Sequence, residues 1–347
     1  VVVNDIRVLC QDLDELGFPE IGGDNKFFIN NNTLKTEDPQ LNSMSYELSA
    51  SRGCPFSCSY CCSPNLRGLY KGKGKYVRLR SVDSVINELR IAREKITRLR
   101  IIRFWDEIFC DDEDWIDEFT RRYKKEVNLP FEIWVHPRKV KGDTIKKLAD
   151  AGLYKAVMGI QSGSCRVRKE IFGRQETEKE IINASKVLSD CKVPRVVYDF
   201  ILRHPFETEE DIVKSFELCM KLYPPFELQL HALNFFPGTD VVKKAIKLGV
   251  MDEYELEKIM YAPLKEQYRA YWGINTKNSK MDFWYSLVYM TQFRTMKPVA
   301  CFLAKNAHIL EKKFSFIMGM PIITQKYLST AARLKDYYKK LHLILQG

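Results

Sequence analysis

YELSASRGCPFSCSYC, Tyr46 to Cys61, is the stretch on which the reading of this chain turns. YELSAS reads as a short strand that runs into a cysteine loop. Cys54, Cys58 and Cys61 are separated by three and then two residues. Thiolates so spaced wrap one cluster but fill only three of its four corners. A 4Fe-4S cube commonly takes four cysteines, so a cube held by three keeps one iron open to a further ligand. A zinc site is the competing reading. Structural zinc takes four ligands, Cys62 points away if Cys61 ligates, and the nearest histidine in sequence is His136.

Outward from this loop, strand and helix patterns alternate. RIIRF (100–104), FEIWV (131–135), YKAVMGI (154–160), RVVYDFIL (195–202) and ELQLHALN (227–234) read as further strands. Helices fill the gaps. Ser81 starts one. DDEDWIDEFTRRYKK carries acids at its start and bases at its end, the order the helix dipole favours. Gly152 stops the next helix. Thr177 with Glu180, and Thr208 with Asp211, mark two more helix starts, and Gly238–Thr239 opens another. Six βα units in series predict a parallel sheet with helices outside, curled by right-handed crossovers into a barrel or partial barrel. The fold class expected is α/β, a partial (β/α)6 TIM-like barrel followed by a mainly α-helical C-terminal domain. Residues 1–43 read as a linker, 44–251 as the core, and 252–347 as the helical domain. Chemistry in such folds gathers at the carboxyl ends of the strands. That edge carries the cysteine loop, Asp106–Glu107, Gln161–Ser162 and the loops after Leu202 and Asn234.

The chain has 347 residues, 45% of them hydrophobic, enough for a sizeable core. Its net charge of +10 favours anionic partners or, more simply, a basic solvated surface. Of ten cysteines, Cys10, Cys110, Cys165, Cys191, Cys219 and Cys301 are scattered, the pattern of free thiols in a reducing cytoplasm. No apolar run approaches the roughly 18 residues of a membrane-spanning helix. The first residue is Val, and VVVNDIRVLC reads as the end of a strand and a connection from a preceding domain.

The CxxxCxxC motif with Tyr60 before its last cysteine resembles the signature of the radical S-adenosylmethionine (SAM) superfamily. The likeness extends over about residues 45–248. The resemblance implies a 4Fe-4S cluster on Cys54, Cys58 and Cys61, with SAM chelating the open iron and Tyr60 among the residues that contact SAM. IRFWDEIF is similar to the segment that sets an acid against the SAM amino group, which points to Asp106 and Glu107. GIQSGS resembles a strand end that contacts SAM, which adds Gln161, Ser162 and Ser164, with Gly163 allowing close backbone approach. Arg174 resembles an arginine that pairs with the SAM carboxylate. NFFPGTD matches the segment after the sixth strand, where Phe235 or Phe236 packs on adenine, with Phe236 the residue preferred. DLDELGFPE (12–20) resembles the connection leading out of a cobalamin-binding domain, so cobalamin is implied through a domain that this chain lacks. Many relatives carry Gly-Leu-Pro-Gly after the fifth strand. This chain has Arg203, His204, Pro205 and Phe206 there.

The activity implied is reductive cleavage of SAM to a 5′-deoxyadenosyl radical, leading to cobalamin-dependent methyl transfer. Ring formation and rearrangement fit the same residues. An external electron donor of flavodoxin or ferredoxin type follows, as does a small-molecule or lipid-like substrate, compatible with an anion. The localisation expected is cytoplasmic, with the membrane periphery compatible with the aromatic, basic C-terminal helices, including an amphipathic Lys-rich segment at 326–345. Two other readings stand beside this one: an RNA-modifying methylthiotransferase, and a non-catalytic iron–sulfur electron carrier. The basic loop 66–80, with interleaved Tyr and Gly, reads as a solvated lid.

Overall fold

A computed structural model of the chain describes residues 4–23, 26–263, 266 and 279–313. The segment 326–345 lies outside the described residues. Strands β1 (Phe28–Asn30) and β2 (Thr33–Lys35) pair antiparallel, within the stretch that reads as a linker. Their turn is made by Asn31 and Asn32, at φ of 48° and 58°. Asparagine tolerates this left-handed region better than most residues, which makes an Asn pair a hairpin turn.

The alternation then runs β3 (Ser45–Leu48), β4 (Ser51–Arg52), α1 (Ser63–Leu69), β5 (Arg78–Leu79), α2 (Val82–Lys95), β6 (Ile101–Phe104), α3 (Glu113–Glu126), β7 (Phe131–Val135) and α4 (Gly142–Ala151). It continues with β8 (Leu153–Gln161), α5 (Glu178–Asp190), β9 (Arg195–Ile201), α6 (Glu209–Lys221), β10 (Glu227–His231) and α7 (Asp240–Lys247). Among the described residues only helices follow: α8 (Glu253–Met260), α9 (Ser279–Met290), α10 (Lys297–Lys305) and α11 (Ala307–Lys313). Strands β3, β6, β7, β8, β9 and β10 form one six-stranded sheet in chain order, with β3 and β10 at its edges. The sheet is therefore open, the partial barrel expected. Among the described residues no helix is long and apolar enough to cross a membrane.

The chain divides into two compact units. The first comprises Val1–Pro55, Leu66–Met158 and Val187–Val196. Here β3, β6, β7 and the start of β8 pair parallel, with Tyr46 opposite Ile102 and Trp134 opposite Val157. Phe104 is fully buried and meets Phe109, Phe119 and Phe131 edge-on, and Trp115 stacks on Phe119 at 4.9 Å. Each such ring contributes about 2–3 kcal/mol through burial. The helix starts are capped as the sequence indicates. Ser81 accepts from the Ser84 amide at 3.0 Å and Asp112 from that of Trp115, also at 3.0 Å. Gly152 ends α4 in the left-handed conformation, at φ 115°.

The second unit comprises Phe56–Asn65, Gly159–Lys186 and Val197–Gly347. In it β9 and β10 pair parallel, Val197 opposite Glu227. Thr177 and Glu180 exchange hydrogen bonds at the start of α5, as do Thr208 and Asp211 at the start of α6. Helix α9 packs against α6, with Trp284 at 5.9 Å from Phe216 and its indole N–H on Glu209. Phe283, Tyr285, Leu287, Val288 and Met290 are all buried, so α9 is a core helix rather than a one-sided surface helix.

Candidate active site

The cysteine loop is pinned at its middle residue. Within the second unit, buried Ser59 donates its amide to the Phe172 carbonyl at 2.9 Å and its hydroxyl to the Ile171 carbonyl. Its own carbonyl accepts from the Val241 amide at 2.9 Å. These bonds hold Cys58 and Tyr60 on either side in fixed places. Cys58 and Cys61 are half-buried, and the Cys61 amide closes a turn on the Cys58 carbonyl at 3.1 Å. The Tyr60 ring sits edge-on to Phe172 at 5.0 Å, and burial pushes its phenol well above its usual pKa.

Arg174 is the polar centre of this region. It is buried and spends its donors inside the unit. Nε pairs with Glu176, Nη2 donates to the Gly159 carbonyl at 2.8 Å, and Nη1 donates to the Tyr60 hydroxyl at 3.2 Å. Nη1 also lies 3.7 Å from the Cys58 sulfur. Glu176, fully buried, escaped the sequence reading. The signal in the sequence was proximity alone: Glu176 lies two residues from Arg174 and carries the opposite charge.

Gln161 ends β8 at φ +70°, a left-handed conformation uncommon for a residue with a side chain. The two serines beyond it are turn-builders. Ser162 accepts the Ser164 amide on its hydroxyl at 3.1 Å, and its carbonyl takes the buried Arg168 guanidinium at 2.7 Å. Ser164 donates its hydroxyl to Asp211 at 2.6 Å, and Arg166 pairs with the same carboxylate. Burial raises the Asp211 pKa, but the Arg166 and Ser164 hydrogen bonds outweigh it and hold the carboxyl at about 2. Gly163 does permit a close approach, and the partner is helix α6. A Cβ there would stand 2.3 Å from Ser215 Cα and 2.4 Å from the Lys214 carbonyl oxygen.

The loop after β9 turns on Arg203, at φ +58°. His204 is fully buried, with Phe172 at 5.1 Å and Phe206 at 6.0 Å. Burial drops its pKa to about 3, so it is a neutral core residue. Phe235 is buried in the same apolar cluster, whereas Phe236 is 45% exposed and open to a ligand.

The first unit holds Cys54, Asp106 and Glu107. Gly53 precedes the cysteine at φ +92°, where a Cβ would stand 2.4 Å from the Tyr76 carbonyl oxygen. Arg67 donates to the Pro55 carbonyl at 2.9 Å and so fixes the chain just after Cys54. Asp106 is buried, and its oxygens accept from the Ala50 amide at 3.2 Å, the Ser51 amide at 2.6 Å and the Ser51 hydroxyl. Burial raises its pKa, against the pull of those bonds. Its carboxylate fastens the turn between β3 and β4. Glu107 is exposed. The basic loop is not bare: the Leu9 amide donates to the Lys73 carbonyl, Gln11 bonds the main chain of Lys75, and Lys73 pairs with Asp5.

Among the described residues no three His, Cys, Asp or Glu side chains gather around one ion-sized point. A single structural zinc needs four donors so gathered. A cubane takes each cysteine on a different iron, so its thiolates need not converge. The donor chemistry fits such a cluster. All three motif cysteines are free of disulfides, the Cys61 sulfur accepts from the Ser63 amide at 3.4 Å, and the Cys58 sulfur faces the Arg174 guanidinium. N–H donors and positive charge favour the thiolate, the ligand form.

Parallel strands whose first member runs into a three-cysteine loop make the frame of an α/β iron–sulfur protein. Residues 48–219 match the radical SAM superfamily, and the chain belongs to it. It is 27% identical over 197 residues to an uncharacterized methyltransferase of Pyrococcus horikoshii, covering 56% of this chain and 41% of that one. It is 24% identical over 218 residues to a tRNA-2-methylthio-N(6)-dimethylallyladenosine synthase of Corynebacterium jeikeium, covering 60% and 42%. The chain thus spans about two-fifths of the length of these curated relatives. Its fold is shared with the cobalamin-dependent S-adenosylmethionine radical enzyme OxsB, with a TM-score of 0.51 and 13% identity over 82% of this chain and 55% of that one.

Proposed function

We propose that this chain is the SAM-binding core of a radical SAM methyltransferase that works with cobalamin carried by a domain outside this sequence. The observation that carries the reading is the pinned three-cysteine loop after β3, with N–H donors directed at its sulfurs, in a chain of this superfamily. When bound, a 4Fe-4S cluster and SAM supply one-electron cleavage of a carbon–sulfur bond and a 5′-deoxyadenosyl radical. Cys54, Cys58 and Cys61 hold three irons. Glu107 rather than Asp106 takes the SAM ammonium, because the Asp106 oxygens are already engaged by Ala50 and Ser51. Gln161 and the exposed ring of Phe236 bind other parts of SAM, while Ser162 and Ser164 shape the turn that presents Gln161. An external low-potential electron donor serves the cluster. The basic charge of the chain suits a small anionic or lipid-like substrate.

The test is anaerobic reconstitution with iron and sulfide, then SAM and dithionite. The expected product is 5′-deoxyadenosine, and the full-length chain with cobalamin and substrate yields a methylated product. No 5′-deoxyadenosine from a protein with a full cluster, upstream domain and substrate supplied, overturns the proposal. A tRNA-modifying methylthiotransferase is the second reading, favoured by the second relative named above and by the net charge of +10. It predicts salt-dependent binding of tRNA in a gel shift.

A further inference from the structure

We propose that Arg174 and Glu176 form a buried charge pair that sets the reduction potential of the cluster held at Cys58, and that Arg174 is not the site of the SAM carboxylate. The inference rests on the cluster reading above. It starts from how Arg174 spends its N–H groups. Nε is bound to Glu176, Nη1 faces the Tyr60 hydroxyl and the Cys58 sulfur, and Nη2 holds the Gly159 carbonyl. A guanidinium has five N–H groups, so one remains. Bidentate capture of a carboxylate needs two parallel N–H bonds, and this side chain no longer offers them.

What it offers instead is charge. Arg174 is 5% exposed and Glu176 is 0% exposed, so water screens neither. The pair has a direction. Glu176 takes the Nε side, and Nη1, on the other branch, faces the sulfur at 3.7 Å. The positive end of the pair therefore points at a cluster ligand. Positive charge and N–H donors at the sulfurs stabilise the reduced state and raise a cluster's potential. Glu176 opposes part of that effect and holds the guanidinium in place. The step concerned is a single electron passing from the external donor to the cluster, with no bond broken and no proton moved. Arg174 is a positioning and tuning residue acting through Cys58.

The test is an EPR-monitored redox titration of the reconstituted chain without SAM. Arg174→Gln removes the charge and is expected to move the midpoint to more negative values. Glu176→Gln removes the opposing charge and is expected to move it to more positive values. Each shift is expected to reach about tenfold in the reduced-to-oxidised ratio at fixed ambient potential, about 59 mV for one electron. Opposite signs are a result that a merely structural role does not give. If Arg174→Gln holds no cluster, the positive shift in Glu176→Gln carries the test alone. Unmoved potentials, shifts of one sign, or loss of the cluster from both variants overturn the inference. An unmoved potential with weaker SAM binding in Arg174→Gln returns Arg174 to the SAM carboxylate. Those results leave the proposed function standing, whereas a wild-type chain that assembles no 4Fe-4S cluster removes both.

Discussion

Replacing Glu207 with glutamine is expected to make the protein less sensitive to alkaline pH. Glu207 lies between β9 and α6 and is 7% exposed. Its Oε2 accepts from the Tyr285 hydroxyl at 2.6 Å and the Arg203 amide at 2.9 Å. Arg203 in turn lies 4.5 Å over the Tyr285 ring and pairs with Asp282 at 2.6 Å. Burial, only partly offset by these bonds, raises the Glu207 carboxyl from 4.5 to about 8. In the unfolded chain the proton leaves near 4.5, and in the folded chain it stays until about 8. Between those values the folded state binds more protons, so stability falls as pH rises. The contribution is whole below 4.5 and its loss is nearly complete above about 8. From about pH 6 to about pH 8.5 the loss comes to roughly 2.5 kcal/mol, at about 1.4 kcal/mol per pH unit across most of the interval. At about 2–4 °C per kcal/mol, wild type gives up about 5–10 °C of Tm that Glu207→Gln retains. Thermal unfolding followed by circular dichroism at the two pH values measures this. Other titrating groups are common to both proteins, so the gap between them carries the result. A Tm difference that stays the same at both pH values refutes the reasoning.

Gly163→Ala forces a Cβ to within 2.4 Å of the α6 backbone, and is expected to lower stability by about 2–4 kcal/mol through overpacking and a weakened Gly163 amide to Ser215 bond, read as a fall in Tm. Asp106→Asn turns one acceptor into a donor facing the Ala50 and Ser51 amides, and is expected to cost about 2–3 kcal/mol in chemical denaturation. Ser in place of Cys54, Cys58 or Cys61 is expected to lose most of the reconstituted iron in a colorimetric assay. Ser in place of exposed Cys62 is expected to keep it, and the reverse pattern would refute the ligand assignment.

The alternation of strands and helices was readable because it rests on local patterns. The capping pairs Thr177/Glu180 and Thr208/Asp211 sit three residues apart, and the helices begin after them. The β1–β2 hairpin was missed because its strands are three residues each, too short for a period to register. Within the site, local pattern identified residue types better than their partners. GIQSGS resembles a strand end that contacts SAM, with Gly163 allowing close approach, and the body pressed against Gly163 is α6. His204, in the segment that replaces the relatives' Gly-Leu-Pro-Gly, is inside an apolar cluster with Phe172 and Phe206.

The three-cysteine spacing, the six βα units and the likeness to radical SAM proteins belong to the sequence alone. They depend on neighbours a few positions apart, whose geometry the backbone enforces. Tertiary structure decided which polar atoms remain for a ligand. The Asp106 oxygens are engaged by residues 55 and 56 positions away, Arg174 reaches Cys58 across 116, and Glu207 meets Tyr285 across 78. A buried polar group must find a partner or carry a desolvation cost, and packing between distant segments supplies that partner. For this reason the sequence names Arg174 as a site residue, while only the folded chain shows it turned toward a sulfur.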